Sequence, residues 1–548
     1  MSRPFDVLVV GAGFAGMYAL IDARRRGLHA VCVDAAPQVG GVWQWNRYPG
    51  ARCDIESLDY SYSFDEELQQ EWTWTERYAT QPEILRYAEH VVDRFELREH
   101  IRLGQRVAKA VFDADSATWQ VEIDGGDEVR AQHLVLATGS LSTPVKPDIP
   151  GLDDFGGQVV MTAAWPHEGL DVTGLDVGVI GTGSSGIQSI PILAESAKHL
   201  TVFQRSANYS VPVKNRELSA EAMDEARRDY PRRRSIARTS MAGTLAQAHP
   251  SSFWELDEAE RRAAFEARWA EGGVLFGKVF DGQTVDRGIN DAARAFAVEK
   301  IRSLVKDPEV AESLVPDHAI GTKRICTDSG YYETFNRPNV SLVDLRKDPI
   351  VEILPDGIKT RDGFHRLDVL VLATGFDALT GAVAAIHLEG PDGVLASEVW
   401  ADGPLTNLGM SIPGLPNLHL IMGPQSPGVF SNAFIAIEQQ VDWVMDLIVH
   451  CRDNAIAAVE TTQETARAWT DKVQEIAAGT LFVETDSWYL GANIEGKPRV
   501  FMLYAGGLHP YTLECDAIRD DGYAGYRFHS PGSVDKQAIA WQNEAHYA

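Results

Sequence analysis

Two segments of this 548-residue chain share one pattern, and that pattern constrains the fold more than anything else in the sequence. The first runs from Asp6 to Asp34. Asp6-Val-Leu-Val-Val10 is a short apolar run rich in β-branched residues, which reads as a buried strand. Gly11-Ala-Gly13-Phe14-Ala15-Gly16 follows at once. Met17 to Arg26 carries apolar residues at helical spacing, and Leu28 to Val33 reads as a second strand ending on Asp34. Strand, glycine turn, helix, strand and acid make up a dinucleotide-binding βαβ unit. Gly11 permits the tight turn, Gly13 leaves room for a pyrophosphate, and Gly16 lets helix and strand pack closely. The helix N-terminus then presents free N–H groups and a positive dipole end to phosphates. Asp34 is placed to accept hydrogen bonds from a ribose diol. The glycine pattern alone is weak evidence; an acid at the expected spacing of ~20 residues makes it strong. That acid also disfavours a 2′-phosphate, so the first nucleotide is FAD or NAD and not NADP.

The second unit starts at Asp176. Asp176-Val-Gly-Val-Ile180 is a strand by pattern, Gly181-Thr182-Gly183-Ser184-Ser185-Gly186 is the turn, and Ile187 to Ala197, which includes Gln188, reads as helix. Thr201-Val-Phe203 is the next strand. Here the ribose-acid position carries Arg205, followed by Ser206. A cation suits a 2′-phosphate, so this site is assigned to NADP. One acid-tipped unit and one arginine-tipped unit in a single chain imply a flavoprotein fed by NADPH. The fold class expected is α/β, with two Rossmann-like domains.

Composition sets the outer limits. The apolar share of 45% and charged share of 23% are those of a globular protein, and the length allows several domains. A net charge of −28 argues against nucleic acid and anionic membrane as partners. No apolar run is long enough to span a bilayer. The first strand begins at the fifth or sixth residue, which leaves no room for a signal peptide, so a cytoplasmic protein is expected. Cys32, Cys53, Cys326, Cys451 and Cys515 are scattered without a C-x-x-C, which disfavours a disulfide framework, a zinc ribbon and a dithiol reductase. No metal site is expected.

Between and after the two units the chain is punctuated clearly. Gly40 to Asp54 is dense in glycine, proline and aromatics, and reads as a loop folding over the cofactor, with the flat face of Trp43 and the carboxylate of Asp54 near it. On its own, Asp54 could equally be a turn or capping acid. Gln81 to His100 reads as helix. Leu134 to Gly139 is a strand ending in an Ala-Thr-Gly turn, and Leu367 to Gly375, with Thr374, repeats it. Pro144 to Pro150 is a linker candidate. Lys214 to Pro316 is rich in Ala, Glu and Arg and reads as a helical insertion; Pro231-Arg232-Arg233-Arg234 within it reads as a solvated helix end. Asn417 to Met422 is a further strand, and Gly423 to Asn432 a loop opening the helix Ala433 to His450.

Phe155-Gly-Gly157-Gln-Val-Val-Met161-Thr-Ala-Ala-Trp165-Pro166 resembles the signature of Baeyer–Villiger monooxygenases, F-x-G-x-x-x-H-x-x-x-W-P, with Met161 in place of the histidine. Gly40 to Asp54, Lys323 to Arg337, Trp488 to Asn493 and Lys497 to Tyr504 are also similar to that family, so the resemblance runs over nearly the whole chain. It is closest to the phenylacetone and cyclohexanone monooxygenase branch. It implies a flavin domain over 1–143 and 377–548, an NADP domain over 144–213 and 321–376, and an insertion over 214–320.

The resemblance further implies the chemistry: NADPH reduces FAD, O₂ adds, and a flavin peroxide attacks a ketone to give an ester or lactone. Arg324 matches the catalytic arginine, a permanent cation beside developing negative charge, and Asp54 the carboxylate that positions it. Lys323 and Arg205 match the 2′-phosphate contacts, and Trp488 a contact on the nicotinamide side. Gly41, Val42, Trp43, Tyr60 and Val107 are assigned to the flavin site, and Ser426, Pro427, Gly428, Val429 and Phe430 to the ketone pocket. That loop carries no charge, so apolar aryl-alkyl, linear or cyclic ketones are expected. Without the resemblance, Lys323-Arg324 would read as an ordinary surface pair. An NADPH oxidase, an N- or S-hydroxylating flavoprotein and a flavin-binding sensor or scaffold are the competing readings. A monomer or weak dimer is expected. Met161 is expected to lie in a linker between the nucleotide sites and to affect coupling.

Overall fold

The computed structural model describes residues 3–534; residues 535–548, the end of the second flavin-domain segment, lie outside that range. The chain's first strand, Phe5–Val10, sits at the middle of an eight-stranded sheet. Ala30–Asp34 and Ile101–Leu103 add to one side of it in parallel, and Glu128–Leu136 to the other. On its far edge the strand Glu128–Leu136 serves two partners. Its first half pairs antiparallel with Thr118–Ile123, and its second half parallel with Leu418–Leu420. Val7 and Val9 feed the core on one face and Leu8 and Val10 the core on the other. Burial on both faces is why this strand reads as continuous apolar sequence and not as alternation.

A second sheet is entirely parallel, in the order Val340–Asp344, His199–Gln204, Asp176–Ile180, Val369–Leu372, Gln158–Met161. The two sheets share a local plan. Gly11 N donates to Val33 O and Gly181 N to Phe203 O, while Ala137 N donates to Val10 O and Ala373 N to Ile180 O. Both turn glycines have positive φ, +107° and +108°, which side chains rarely adopt. A Cβ on Gly16 would lie 1.7 Å from Gly11 O, and one on Gly186 would lie 2.3 Å from Gly181 O, so each helix packs directly against its own turn.

Met161 is the last residue of the edge strand Gln158–Met161, paired with Leu372 and packed against a cluster that includes Ile180 and Phe203. The expectation of a linker position is therefore corrected. The true crossing is made by two strands of chain lying side by side: Val145 N donates to Gly375 O, and Asp377 N to Thr143 O.

The insertion has its own aromatic core, including Phe265, Phe276, Phe280 and Phe296. Its helices are Ala220–Thr239, Glu258–Glu271, Arg287–Leu304 and Pro308–Ser313. Pro231 to Arg234 is not a helix end. It lies inside Ala220–Thr239, and Arg234 is 3% exposed. Proline in a helix strands the carbonyl four residues earlier. Here that carbonyl, Arg227 O, accepts from Gln70 Nε2 of the flavin domain at 3.1 Å. A tertiary contact thus carries the helix through the proline.

Candidate functional site

The helices Phe14–Arg25 and Ser184–Ser196 begin at Gly13 and Gly183 without a side-chain cap. Elsewhere the chain supplies such caps, with Asp257, Asp286, Asn432 and Thr462 each accepting from its helix's first turn. The two glycine-headed helices keep their first N–H groups for another acceptor, and a dinucleotide pyrophosphate fits. A Cβ on Gly183 would meet nothing within 4 Å, so that cradle is open.

On the flavin side Asp34 closes the first unit. Its carboxylate accepts from Ala12 N at 2.5 Å and Ala36 N at 2.7 Å, which orients it at the end of its strand. Burial raises its pKa, and these two hydrogen bonds oppose the rise. Val107 opens the strand Val107–Asp113, two residues beyond Gln105, whose N–H donates to Asp34 O. The loop after Asp34 folds back so that a Cβ on Gly41 would lie 2.9 Å from Gly13 Cα. It contains a helical turn, Val42–Trp45, and not only irregular chain. Trp43 Nε1 donates to the Tyr60 hydroxyl at 2.9 Å, and the Tyr60 ring stands edge-on to Phe434 and Phe14. The glycines, Asp34, Trp43 and Tyr60 fit FAD.

On the second side Arg205 is exposed just past the strand His199–Gln204. Among the described residues no carboxylate pairs with it, and Thr182 Oγ1 donates to the carbonyl of its neighbour Ser206. Lys323 converges on the same place. Burial lowers its pKa, as does the adjacent Arg205 charge, against the pull of Asp317. Among the described residues neither cation forms a salt bridge, and such a pair fits a 2′-phosphate. His318 lies beside Lys323 and was not anticipated; burial first, then Lys323, push its pKa down to about 4, so it is neutral at pH 7.

Arg324 and Asp54 meet between the two domains. Nε donates to Asp54 Oδ2 at 2.8 Å and Nη2 to Asp54 Oδ1 at 2.9 Å, a two-point fork, while Nη1 donates to Val429 O at 2.7 Å. Burial works to lower the arginine's pKa, but the Asp54 charge and its hydrogen bonds outweigh it and the pKa rises. Arg324 is a cation at every working pH. Its main chain is fixed too, since Asn208 Nδ2 donates to Arg324 O.

The remaining expected residues divide. Val429 and Phe430 reach the site, the Phe430 ring stacking on Phe482 at 4.7 Å and meeting Tyr489 edge-on at 5.0 Å. Ser426, Pro427 and Gly428 are buried, and Ser426 Oγ donates inward to Gly423 O, so the expectation that Ser426 lines the pocket is corrected. Thr374 Oγ1 donates to Val145 O and Gly375 O accepts from Val145 N, which places both at the crossing between the two sheets. Gln188 accepts from the Tyr48 hydroxyl and so joins the NADP helix to the flavin loop. Ser184 and Ser185 hydroxyls lie against Cys326 Sγ and Thr162 Oγ1. Trp488 stacks edgewise on Tyr489, which touches the field of Arg324.

The family model for pyridine nucleotide-disulphide oxidoreductases matches residues 5–229. The chain is 41% identical over 534 residues to a phenazine N-monooxygenase of Lysobacter antibioticus, covering 96% of this chain and 98% of that protein. It is also 41% identical over 526 residues to a Baeyer–Villiger monooxygenase of Pseudooceanicola batsensis, covering 95% of each. A solved structure of oxidised steroid monooxygenase bound to NADP superposes with a TM-score of 0.93 at 51% identity, over 96% of this chain and all of that one. Matches of this length and identity extend the agreement from the two nucleotide sites to the whole molecule: the chain belongs to the Baeyer–Villiger monooxygenases, flavoproteins that use FAD and NADP.

Proposed function

We propose that the chain oxygenates apolar ketones to esters or lactones, consuming one NADPH and one O₂ per turnover and releasing water. The observation that carries this reading is the Arg324–Asp54 fork at the meeting point of the two nucleotide sites. Ketone-oxygenating relatives, cyclohexanone and acetone monooxygenases among them, support it. FAD, once bound and reduced by NADPH, supplies activated dioxygen beside the ketone. The protein's own part is electrostatic and geometric. Arg324 stabilises negative charge on the reacting oxygens and on the carbonyl oxygen as it becomes tetrahedral. Asp54 fixes the guanidinium plane, and Val429 O fixes its third edge, so little reorganisation is needed when charge develops. Phe430, Phe482 and Tyr489 form an aromatic wall that excludes water and rejects charged substrates. Arg205 and Lys323 select NADPH over NADH through the 2′-phosphate.

A second reading is favoured by the phenazine N-monooxygenase relative: oxygen transfer to an aromatic nitrogen. A panel of cyclic, aryl-alkyl and fused-ring ketones set against phenazine separates the two, with NADPH loss and products both followed. Ester or lactone from any ketone is the expected result. N-oxide from phenazine with no ester from any ketone would overturn the ketone reading, and no product from either would favour a sensor. We further infer a cytoplasmic monomer or weak dimer. Among the described residues no helix is long and apolar enough to cross a membrane, and all five cysteines are free and buried. Light scattering on the purified chain tests the oligomeric state.

A further inference from the structure

The segment 54–63 carries both Asp54 and Tyr60, and three arginines of the insertion bind its 59–63 part. Arg234, on the inserted helix Ala220–Thr239, spreads its guanidinium over this segment. Nη2 donates to Ser61 Oγ at 2.7 Å and to Tyr62 O at 3.4 Å, Nη1 to Asp59 O at 3.4 Å, and Nε to Gln69 Oε1 at 3.1 Å. Its neighbour Arg233 pairs with Asp59 Oδ1 at 2.7 Å, and Arg238 donates to Ser63 Oγ at 2.8 Å. At the other end of the segment Arg77 donates twice to Glu56 and once to Glu271 O, the last residue of the inserted helix Glu258–Glu271. From the opposite side Asn432 Nδ2 donates to Asp59 O.

Tyr60 therefore sits between Asp59, whose carbonyl is held, and Ser61, whose hydroxyl is held, with its own hydroxyl fixed by Trp43. A buried arginine with no acid in its own fork is costly unless its donors find acceptors. Its acceptors here are neutral groups on either side of Tyr60. We propose that Arg234 is a positioning residue for oxygenation: through Ser61, Asp59 and Tyr62 it holds Tyr60, and through Tyr60 the Trp43 ring and the flavin they flank. The helical insertion is then a brace for the reacting centre. This inference rests on the reading of Trp43 and Tyr60 as flavin-side residues.

The test uses the holoenzyme. Arg234→Lys keeps the charge and loses the fork. Its expected signature is a loss of fine structure in the bound-flavin absorbance band and at least a threefold rise in hydrogen peroxide formed per NADPH. The KM for NADPH should stay within twofold of wild type, since Arg205 and Lys323 lie elsewhere. Tyr60→Phe should show the same spectral change. In the double variant the peroxide ratio should not rise further, because both substitutions break one route. If Arg234→Lys does not fold, Ser61→Ala removes a single contact and should shift both readouts the same way. An unchanged spectrum and peroxide ratio in the foldable variant, or multiplying effects in the double variant, would overturn the proposal. A silent Tyr60→Phe would overturn the placement of Tyr60 and the proposal with it. A wild type that makes no ester sinks the ketone reading alone, because spectrum and peroxide still report on the brace.

Discussion

A guanidinium gripped at two points by one carboxylate can be aimed but not neutralised, and Arg324 depends on that distinction. Asp54 takes Nε and Nη2, so the charge stays while the plane is fixed. Arg324→Ala should bind FAD and still oxidise NADPH, with product formation down by about 10²–10³, the usual effect of removing one donor to developing negative charge. Arg324→Lys should recover little of this, because a point charge cannot keep the fork. Near wild-type ester yield from either variant, measured by product analysis, would remove Arg324 from the chemistry. At the second site Arg205→Ala should raise the KM for NADPH by about tenfold or more and leave NADH use unchanged, as one charge-assisted contact is worth ~1.5–3 kcal/mol. A parallel loss with NADH would place Arg205 off the 2′-phosphate. Both nucleotide units were legible from local pattern alone, since glycine, helix and acid or cation follow within one short stretch. The pairing of Arg324 with Asp54 was not, because 270 positions separate them and no periodicity links them. Only the resemblance to a family pointed there, and Lys323-Arg324 by itself reads as surface.

Elements followed the pattern wherever burial was uniform. The parallel strands are covered on both faces, so their apolar runs could be read directly. Pro231 with three arginines looks like a solvated end because proline interrupts a helix and arginine favours water. The tertiary partners decide otherwise: Gln70 takes the stranded carbonyl and the flavin domain takes Arg233 and Arg234. Ser426 failed for a similar reason, since a hydroxyl in a loop gives no sign of which side faces the cavity. The helix Ala433–Asp453 carries a testable charge of its own. Glu438 is buried, its carboxylate accepts from Ser63 N and Ser63 Oγ, and burial nonetheless raises its pKa. A folded pKa above the unfolded one gives stability that is present at low pH and lost as pH rises through the folded value. Glu438→Gln does not titrate and can keep both contacts with Ser63. Its melting temperature relative to wild type should therefore climb between pH 5 and pH 8. A gap that stays constant or shrinks over this range would show that Arg238 and the Ser63 bonds, not burial, set the carboxylate's charge.

At the scale of the whole molecule, the repeat of strand, glycine turn and Ala-Thr-Gly return announced two domains, but not how they are joined. The crossing is the pair of linkers at 143–145 and 375–377, bonded to each other and then to the segment 488–504. Lys497 Nζ donates to Asp377 Oδ1 at 2.5 Å and to Ala378 O at 3.0 Å, and Asn493 Nδ2 donates to Phe376 O at 2.7 Å. That segment begins with Trp488 and Tyr489, and Tyr489 packs on Phe430 beside Arg324. The linkers are thus tied through this segment to the aromatic wall of the reacting centre. Lys497 is 12% exposed and Asp377 29%, so the pair is partly withdrawn from solvent and worth more than a surface bridge. Lys497→Ala cuts this tie without touching either glycine turn, Arg205 or Arg324. FAD content and the melting temperature of the NADP-free enzyme should change little. The affinity for NADP⁺ should fall several-fold, because binding must then order a segment that wild type holds in advance. Protection of 487–504 from limited proteolysis should need NADP⁺ in the variant, whereas in wild type it should hold with and without it. The decisive comparison is the proteolysis pattern at matched saturation of NADP⁺. If the variant's segment is as protected without NADP⁺ as the wild type's, Lys497 does not tie the hinge to the wall, and the coupling of domain motion to Arg324 must run through Asn493 or not at all.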